Sequence, residues 1–213
     1  MDATRIIAIR HGETAWNVDT RIQGQLDIAL NVTGRWQAHR VAEALTAETI
    51  DAIYASDLLR AWDTARAISA ATRGPLQRHE GLRERGFGAF QGKTFAEIEA
   101  AWPEQALRWR KRDPHWHPPG GESLEEVSAR ITHATAELAA RHLGQQIVLV
   151  AHGGVMDALY RAATGQHVQA PRTWNLGNAA INRLLWTPDG LTLVGWADTR
   201  HLEGQQARDE SST

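Results

Sequence analysis

The chain has no cysteine among its 213 residues, so disulfides, zinc thiolate centres and thiol nucleophiles are excluded, and redox chemistry says nothing of its compartment. Neither sign of charge dominates. A formal net charge of -2 argues against general nucleic-acid binding, while local basic patches stay open. Long apolar runs are missing as well. The start, Met1 to Arg5, leads into only four consecutive apolar residues, far short of a signal-peptide core or a membrane span, so a membrane partner is not expected and the chain reads as cytoplasmic. No internal repeat and no domain linker stand out. What remains is an ordinary globular composition, 42% hydrophobic and 23% charged, long enough to bury a core without staples. Nine tryptophans are many for this length, and most are expected to pack helices onto a sheet.

The rest of the chain is organised around residues 6–14, Ile-Ile-Ala-Ile-Arg-His-Gly-Glu-Thr. Four apolar residues in a row predict a parallel strand covered on both faces, with Arg10 and His11 at its carboxyl end, the edge where open α/β sheets bind ligands. Gly12 then lets the backbone turn or approach a ligand closely. An imidazole nucleophile beside a permanently charged guanidinium suits a phosphoryl group, because Arg matches phosphate oxygens bidentately and offsets the charge that repels the attacker. By themselves the two residues could equally close a strand at the surface.

Asn17 to Asn31 reads as a loop over that edge, and a helix starts near Thr33-Gly34 with Trp36, Ala38, Val41, Ala42 and Leu45 towards the sheet. Asp51 to Ala55 predicts a second strand, and Ser56-Asp57 offers oxygens to cap a helix running to about Thr72. Arg60 lies in its first turn, with Thr64 one turn later on the same side. Alone, Arg60 reads more readily as a surface residue of a helix than as part of an anion site. Pro75 to Glu84 predicts a third extended piece, in which Arg83 and Arg85 flank Glu84 as in a solvated ion pair. Gly86, Gly88 and Gly92 then suggest a tight loop holding Glu84 against an aromatic wall of Phe87 and Phe90.

Residues 94–109 predict a helix interrupted at Pro103, leading into the basic run Arg108 to Arg112 and a stiff, proline-rich loop. That stretch suits a cover that gathers an anionic substrate. His115 and His117 are two histidines without a cysteine or a carboxylate at a recognised metal-site spacing, so no metal site is assigned. Ser123 opens a capping box before a helix to about His142. Gln146 to Ala151 predicts a second buried strand delivering His152-Gly153-Gly154, the same pattern as the opening stretch. If the two strands are parallel neighbours, His11 and His152 emerge on one edge. A helix from Val155 to about Thr164, two strands joined at Pro188-Asp189-Gly190, and a frayed tail complete the chain.

With these segments in order, the sequence resembles the histidine phosphatase superfamily, which includes phosphoglycerate mutases and many small phosphatases. The resemblance rests on residues 10–14, 56–65, 82–92, 120–123 and 151–154. It implies a three-layer α/β/α sandwich whose mostly parallel sheet carries an antiparallel strand. It implies a single domain over residues 1–203, with a cover at about 84–122 and a tail at 204–213. His11 would be the nucleophile that is phosphorylated, Glu84 the proton donor and acceptor, and Arg10, Arg60 and His152 the phosphate pocket, with Gly153 beside it. Asn17 and Gly24 align with substrate-touching positions of the mutases.

Nearby arginines would hold His11 neutral, whereas a bound phosphate would favour His152 as imidazolium. No metal is required, and 2,3-bisphosphoglycerate would be needed only as the primer of a mutase. The shorter connection after Glu84 and the pair Gly153-Gly154, where the mutases carry Gly-Asn, look more like the phosphatase branch. The expectation is therefore a phosphomonoester hydrolase acting on a small anionic organic phosphate. Phosphoglycerate mutase activity is the alternative, and a non-catalytic phospho-ligand module a further one. The resemblance leaves a homodimer open.

Overall fold

The computed structural model describes residues 2–203, so the tail expected at 204–213 lies outside the described residues. Six strands form one sheet in the order β3-β2-β4-β1-β5-β6. In chain order they are β1 (Thr4–Arg10), β2 (Ala52–Ala55), β3 (Leu76–Arg78), β4 (Gln146–Ala151), β5 (Ile181–Thr187) and β6 (Gly190–Asp198). β3, β2, β4 and β1 pair in parallel, and β5 opposes both β1 and β6. The expected mostly parallel sheet with an antiparallel strand is what forms.

The helices are α1 (Ala15–Val18), α2 (Val32–Ala44), α3 (Leu59–Thr72), α4 (Phe95–Ala101), α5 (Pro103–Arg110), α6 (Leu124–Ala140) and α7 (Gly153–Thr164). Period-two alternation sorts the side chains of the central strands into two cores. Ile6 and Ala8 join Ile147 and Leu149 under Ile131 and Leu138 of α6 and Val155 and Leu159 of α7. Ile7 and Ile9 join Val148 and Val150 under Val41 of α2 and Ala61, Ala65 and Ile68 of α3. The result is a three-layer α/β/α sandwich. Fully burying each such side chain stabilises the fold by roughly 1.5–3 kcal/mol, so the strands that end in the two histidines are anchored on both faces.

A third, smaller cluster lies outside these layers. Phe90, Ile98, Ala106 and Trp116 are buried together, with Phe87, Phe95 and Trp109 packed against them. α4 begins with a Thr94 and Glu97 capping box, and Pro103 occupies the first turn of α5, where its missing N–H costs nothing. The tryptophans divide accordingly. Trp62, Trp186 and Trp196 pack against the two sheet cores, whereas Trp109 and Trp116 build the cover, so the expectation that most lie between helix and sheet needs correction.

Two further corrections concern helix starts. Ser56 and Asp57 do not cap α3: its N-cap is Leu58, and the Leu59 N–H donates to Asp27 Oδ1 at 2.8 Å. Asp57 turns instead to Arg83, whose Nε donates to its Oδ1 at 2.8 Å. A carboxylate distant in sequence therefore satisfies the helix end. α7 begins at Gly153 rather than Val155, which makes His152 its N-cap. Among the described residues no helix is long and apolar enough to cross a membrane.

Candidate active site

Strand register brings the two histidines together. Arg10 pairs with Ala151 at the last step of the β1 and β4 ladder, and the His11 N–H donates to Ala151 O at 2.9 Å. Each next residue is a buried histidine, and the ring centroids lie 5.2 Å apart. His11 Nδ1 sits 2.7 Å from Gly12 O. A carbonyl only accepts, so Nδ1 carries the proton and the Nε2 lone pair is free. Arg60 Nε donates to that Nε2 at 3.3 Å, which agrees with this tautomer.

Burial, followed by the charges of Arg60 and Arg10, holds His11 well below the ordinary imidazole range. The arginines act as expected from sequence, with burial the larger cause. His152 is likewise held well below it, by burial first and then by Arg60, His11 and Arg10. Both ring nitrogens of His152 are buried with no hydrogen-bond partner among the described residues. In the protein alone His152 is thus neutral, and a charge that favours its imidazolium form has to arrive with a ligand.

Arg60 is fixed from its far side by the loop over the sheet edge. Its two terminal nitrogens donate to Leu26 O and Gly24 O, each at 2.7 Å, and burial lowers its pKa to about 10. Thr64, one turn along α3, accepts from Gly12 N at 3.1 Å and donates to Arg60 O at 2.8 Å. Gly12 is needed for a backbone approach rather than a ligand: a Cβ there would lie 2.3 Å from Gly34 O. Arg10 donates to Leu176 O, while its Nε is buried without a partner among the described residues. Asn178, which sequence inspection missed, donates to His11 O at 2.9 Å.

Glu84 reaches this edge from the loop after β3. Both its carboxylate oxygens accept from Gly154 N at 3.1 Å, and Oε1 also accepts from Arg85 N at 2.8 Å. A Cβ on residue 154 would lie 2.2 Å from Glu84 Oε1, so glycine there is what admits the carboxylate. Arg130 donates to Gly81 O and Arg83 O at 3.0 Å and to both oxygens of Glu122 at 2.8 Å, clamping the loop. The solvated ion pair expected around Glu84 does not form. Arg83 bonds Asp57, and Arg85 is buried, donating to Glu122 O at 2.8 Å with its guanidinium 5.1 Å from the Phe87 ring. Nor do the two phenylalanines make a common wall: Phe87 lines the cavity next to Glu84, whereas Phe90 is turned into the cover core.

The remaining sequence candidates occupy supporting positions. Asn17 Oδ1 accepts from Thr14 N at 3.0 Å as part of the α1 capping box. Gly24, at φ +52°, presents its carbonyl to Arg60. Gly153 lies against the Arg10 guanidinium. His115 pairs with Glu125 at 3.0 Å, His117 Nδ1 lies 3.1 Å from Pro118 O, and the described residues contain no group of three metal-ligating side chains.

A cavity of about 660 Å³ opens beside the histidines, reached by Arg10, Glu84, Gly153 and Gly154 on one side and by Phe87 and Trp109 of the cover on the other. Of the basic run 108–112, only Trp109 and Arg112 line it. Arg108 pairs with Asp113 at 2.6 Å and Arg110 with Glu99 at 2.7 Å, both at the surface, so the expected gathering of anions by the whole run reduces to Arg112. The helical turn of α5 sends neighbouring residues to different sides. Arg85, from the segment around Glu84, and Arg161 and Arg172, from segments whose sequence carries no motif that would have flagged them, supply the rest of the positive lining.

Comparison with known proteins agrees with this geometry. Residues 6–199 match the family model described as histidine phosphatase superfamily (branch 1). The chain is 40% identical over 209 residues to phosphoglycerate mutase-like protein 4 of Arabidopsis thaliana, covering 95% of this chain and 89% of that protein. It superimposes on the native mycobacterial glucosyl-3-phosphoglycerate phosphatase with a TM-score of 0.83 at 38% identity, covering 92% of this chain and 100% of that one. Phosphoserine phosphatase from Entamoeba histolytica, solved with 3-phosphoglyceric acid, gives a TM-score of 0.84 at 29% identity, covering 93% and 99%. With paired histidines at one sheet edge and a family match across nearly all the described residues, the chain belongs to the histidine phosphatase superfamily, on its phosphatase side.

Proposed function

We propose that this protein is a phosphomonoester hydrolase that works through a phosphohistidine on His11. The observation that carries this reading is the pair of buried imidazoles 5.2 Å apart, with the unprotonated His11 Nε2 accepting from Arg60 Nε at 3.3 Å. A neutral nucleophile flanked by fixed cations is the arrangement that phosphoryl transfer requires.

In the first half-reaction His11 Nε2 forms a bond to phosphorus as the phosphorus–oxygen bond of the ester breaks, and Glu84 gives its proton to the departing alcohol. Arg60 Nε leaves the lone pair it now faces and bonds a phosphoryl oxygen, joined by Arg10 and by His152. The dianion favours a proton on His152, adding a hydrogen-bonded cation where charge develops. In the second half-reaction Glu84 takes a proton from water as the water oxygen bonds phosphorus and the bond to Nε2 breaks, releasing inorganic phosphate. No metal enters these steps.

The cations around the cavity favour a small organic phosphate carrying a second negative group. Among relatives, the names glucosyl-3-phosphoglycerate phosphatase and phosphoserine phosphatase both describe hydrolases of this kind. Phosphate release from a panel of phosphoesters, with and without 2,3-bisphosphoglycerate, tests the reading. Hydrolysis independent of primer is expected, together with an acid-labile phosphoenzyme and insensitivity to chelators. Primer-dependent isomerisation of phosphoglycerates outpacing hydrolysis would make the protein a mutase, and binding without turnover across the panel would make it a phospho-ligand module.

A further inference from the structure

The cavity contains a polar pair that the phosphoryl chemistry does not use. Asp157 on α7 and Trp174 in the loop before β5 both line it. Asp157 Oδ2 is occupied, accepting from Arg161 Nε at 2.9 Å and from Arg112 at 3.1 Å. Its Oδ1 is buried with no partner among the described residues, and so is the indole Nε1 of Trp174. One arginine holds both side chains in place. Arg161 is itself buried, its guanidinium carbon lies 4.7 Å from the centre of the Trp174 ring, and it also donates to Ala170 O at 2.9 Å. Tyr160 also stacks on Trp174, ring centroids 4.1 Å apart. A buried acceptor and a buried donor, each left unpaired by the protein, are costly unless something else pairs them.

A hydroxyl group both donates and accepts, so a ligand bearing several hydroxyls carries a partner for Asp157 Oδ1 and for Trp174 Nε1; an ammonium donates only and leaves the indole N–H unpaired. Charge argues the same way. Five arginines and two carboxylates line the cavity, leaving three uncompensated positive charges. Such a field attracts a carboxylate and repels an ammonium. The volume, about 660 Å³, lies within the range of sites that enclose drug-sized ligands, well beyond what a three-carbon phosphate fills.

We infer that Asp157 and Trp174 form a hydroxyl-reading subsite that selects phosphomonoesters whose organic part is both polyhydroxylated and acidic, and rejects those carrying a free amine. This rests on the phosphatase reading for the position of the phosphoryl group and adds the class of substrate. Arg112 and Arg161 are the positioning residues of the pair.

Calorimetric binding to the His11→Ala protein, which cannot be phosphorylated, tests it with two probes: 6-phosphogluconate, with a carboxylate and a run of hydroxyls, and phosphoserine, with a carboxylate and an ammonium. The first is expected to bind at least about tenfold more tightly, and adding Trp174→Phe, which removes the N–H together with the five-membered ring, should cut that preference by about fivefold to tenfold, the worth of one hydrogen bond, because packing lost with the smaller ring weakens both probes alike and cancels in their ratio. Asp157→Asn in the same background should cut it by at least as much, but it also loosens Arg112 and Arg161, so Trp174→Phe decides. Equal or tighter binding of phosphoserine, or a preference untouched by Trp174→Phe, overturns the inference. Hydrolysis of p-nitrophenyl phosphate by the parent protein is measured alongside: its absence would sink the phosphatase reading, while the binding preference still decides the subsite.

Discussion

The phosphoryl pocket and the cavity beside it are built by different means. The pocket is made of backbone: the ladder of β1 and β4 sets the spacing of His11 and His152, and main-chain groups of Gly12, Gly24 and Leu26 hold the nucleophile and Arg60. The cavity is made of side chains from the cover, α7 and the loop before β5, held by ion pairs and by the aromatic cluster around Phe90. Chemistry that must place atoms within fractions of an ångström sits on the rigid part, and discrimination between organic groups sits on the part that side-chain changes can remodel.

Removing the nucleophile separates the two regions most sharply. His11→Ala is expected to lower phosphate release by on the order of 10⁴-fold while leaving ligands able to enter the cavity, measured as turnover against binding. A retained parental rate would mean the nucleophile is another group. Next in size, Gly154→Ala places a methyl 2.2 Å from Glu84 Oε1, so the carboxylate has to move. Turnover of alkyl phosphates, whose leaving oxygen needs a proton, should fall by about 10²-fold, and that of p-nitrophenyl phosphate by much less. Equal losses on both would show that Glu84 does not protonate the leaving group.

Phe90→Ala attacks the other side of the comparison. It empties the centre of the cover core and should cost about 3 kcal/mol of stability in urea titration, with KM rising more than kcat falls. A fall in kcat alone would mean that the cover shapes the pocket itself. The gentlest probe is pH. His11 and His152 are both held well below the ordinary imidazole value of 6.5 in the folded protein. The unfolded chain therefore takes up protons first: stability is full above that value and declines as pH falls below it, until the buried rings protonate. His152→Gln should make this decline shallower in urea titrations across that window, and an unchanged slope would show that His152 is not a buried neutral ring.

The pocket was legible because each of its members lies at the end of a recognisable local pattern. Two short, wholly apolar runs lead to the histidines, residues 6–9 through Arg10 to His11 and residues 147–151 directly to His152, and Arg60 follows a strand by a few residues. Sequence inspection failed where a contact joins distant segments. Asp27 caps α3 in place of Ser56 and Asp57, and Arg85, placed in a solvated ion pair, is buried against Glu122 and Phe87. The same failure hid the subsite: Asp157 and Arg161 lie one turn apart on α7, but the indole of Trp174 that joins them comes from the loop before β5.

The amino acids by themselves placed the apolar strands and the two histidines that follow them, because hydrophobic periodicity acts over a few residues at a time, whereas the layers and the antiparallel strand followed only from the resemblance to the histidine phosphatase superfamily. Only the tertiary structure decided which arginines face the cavity, which carboxylate caps which helix, and how Glu84 passes residue 154. Those outcomes depend on burial and on partners far away along the chain, and local pattern carries no record of either.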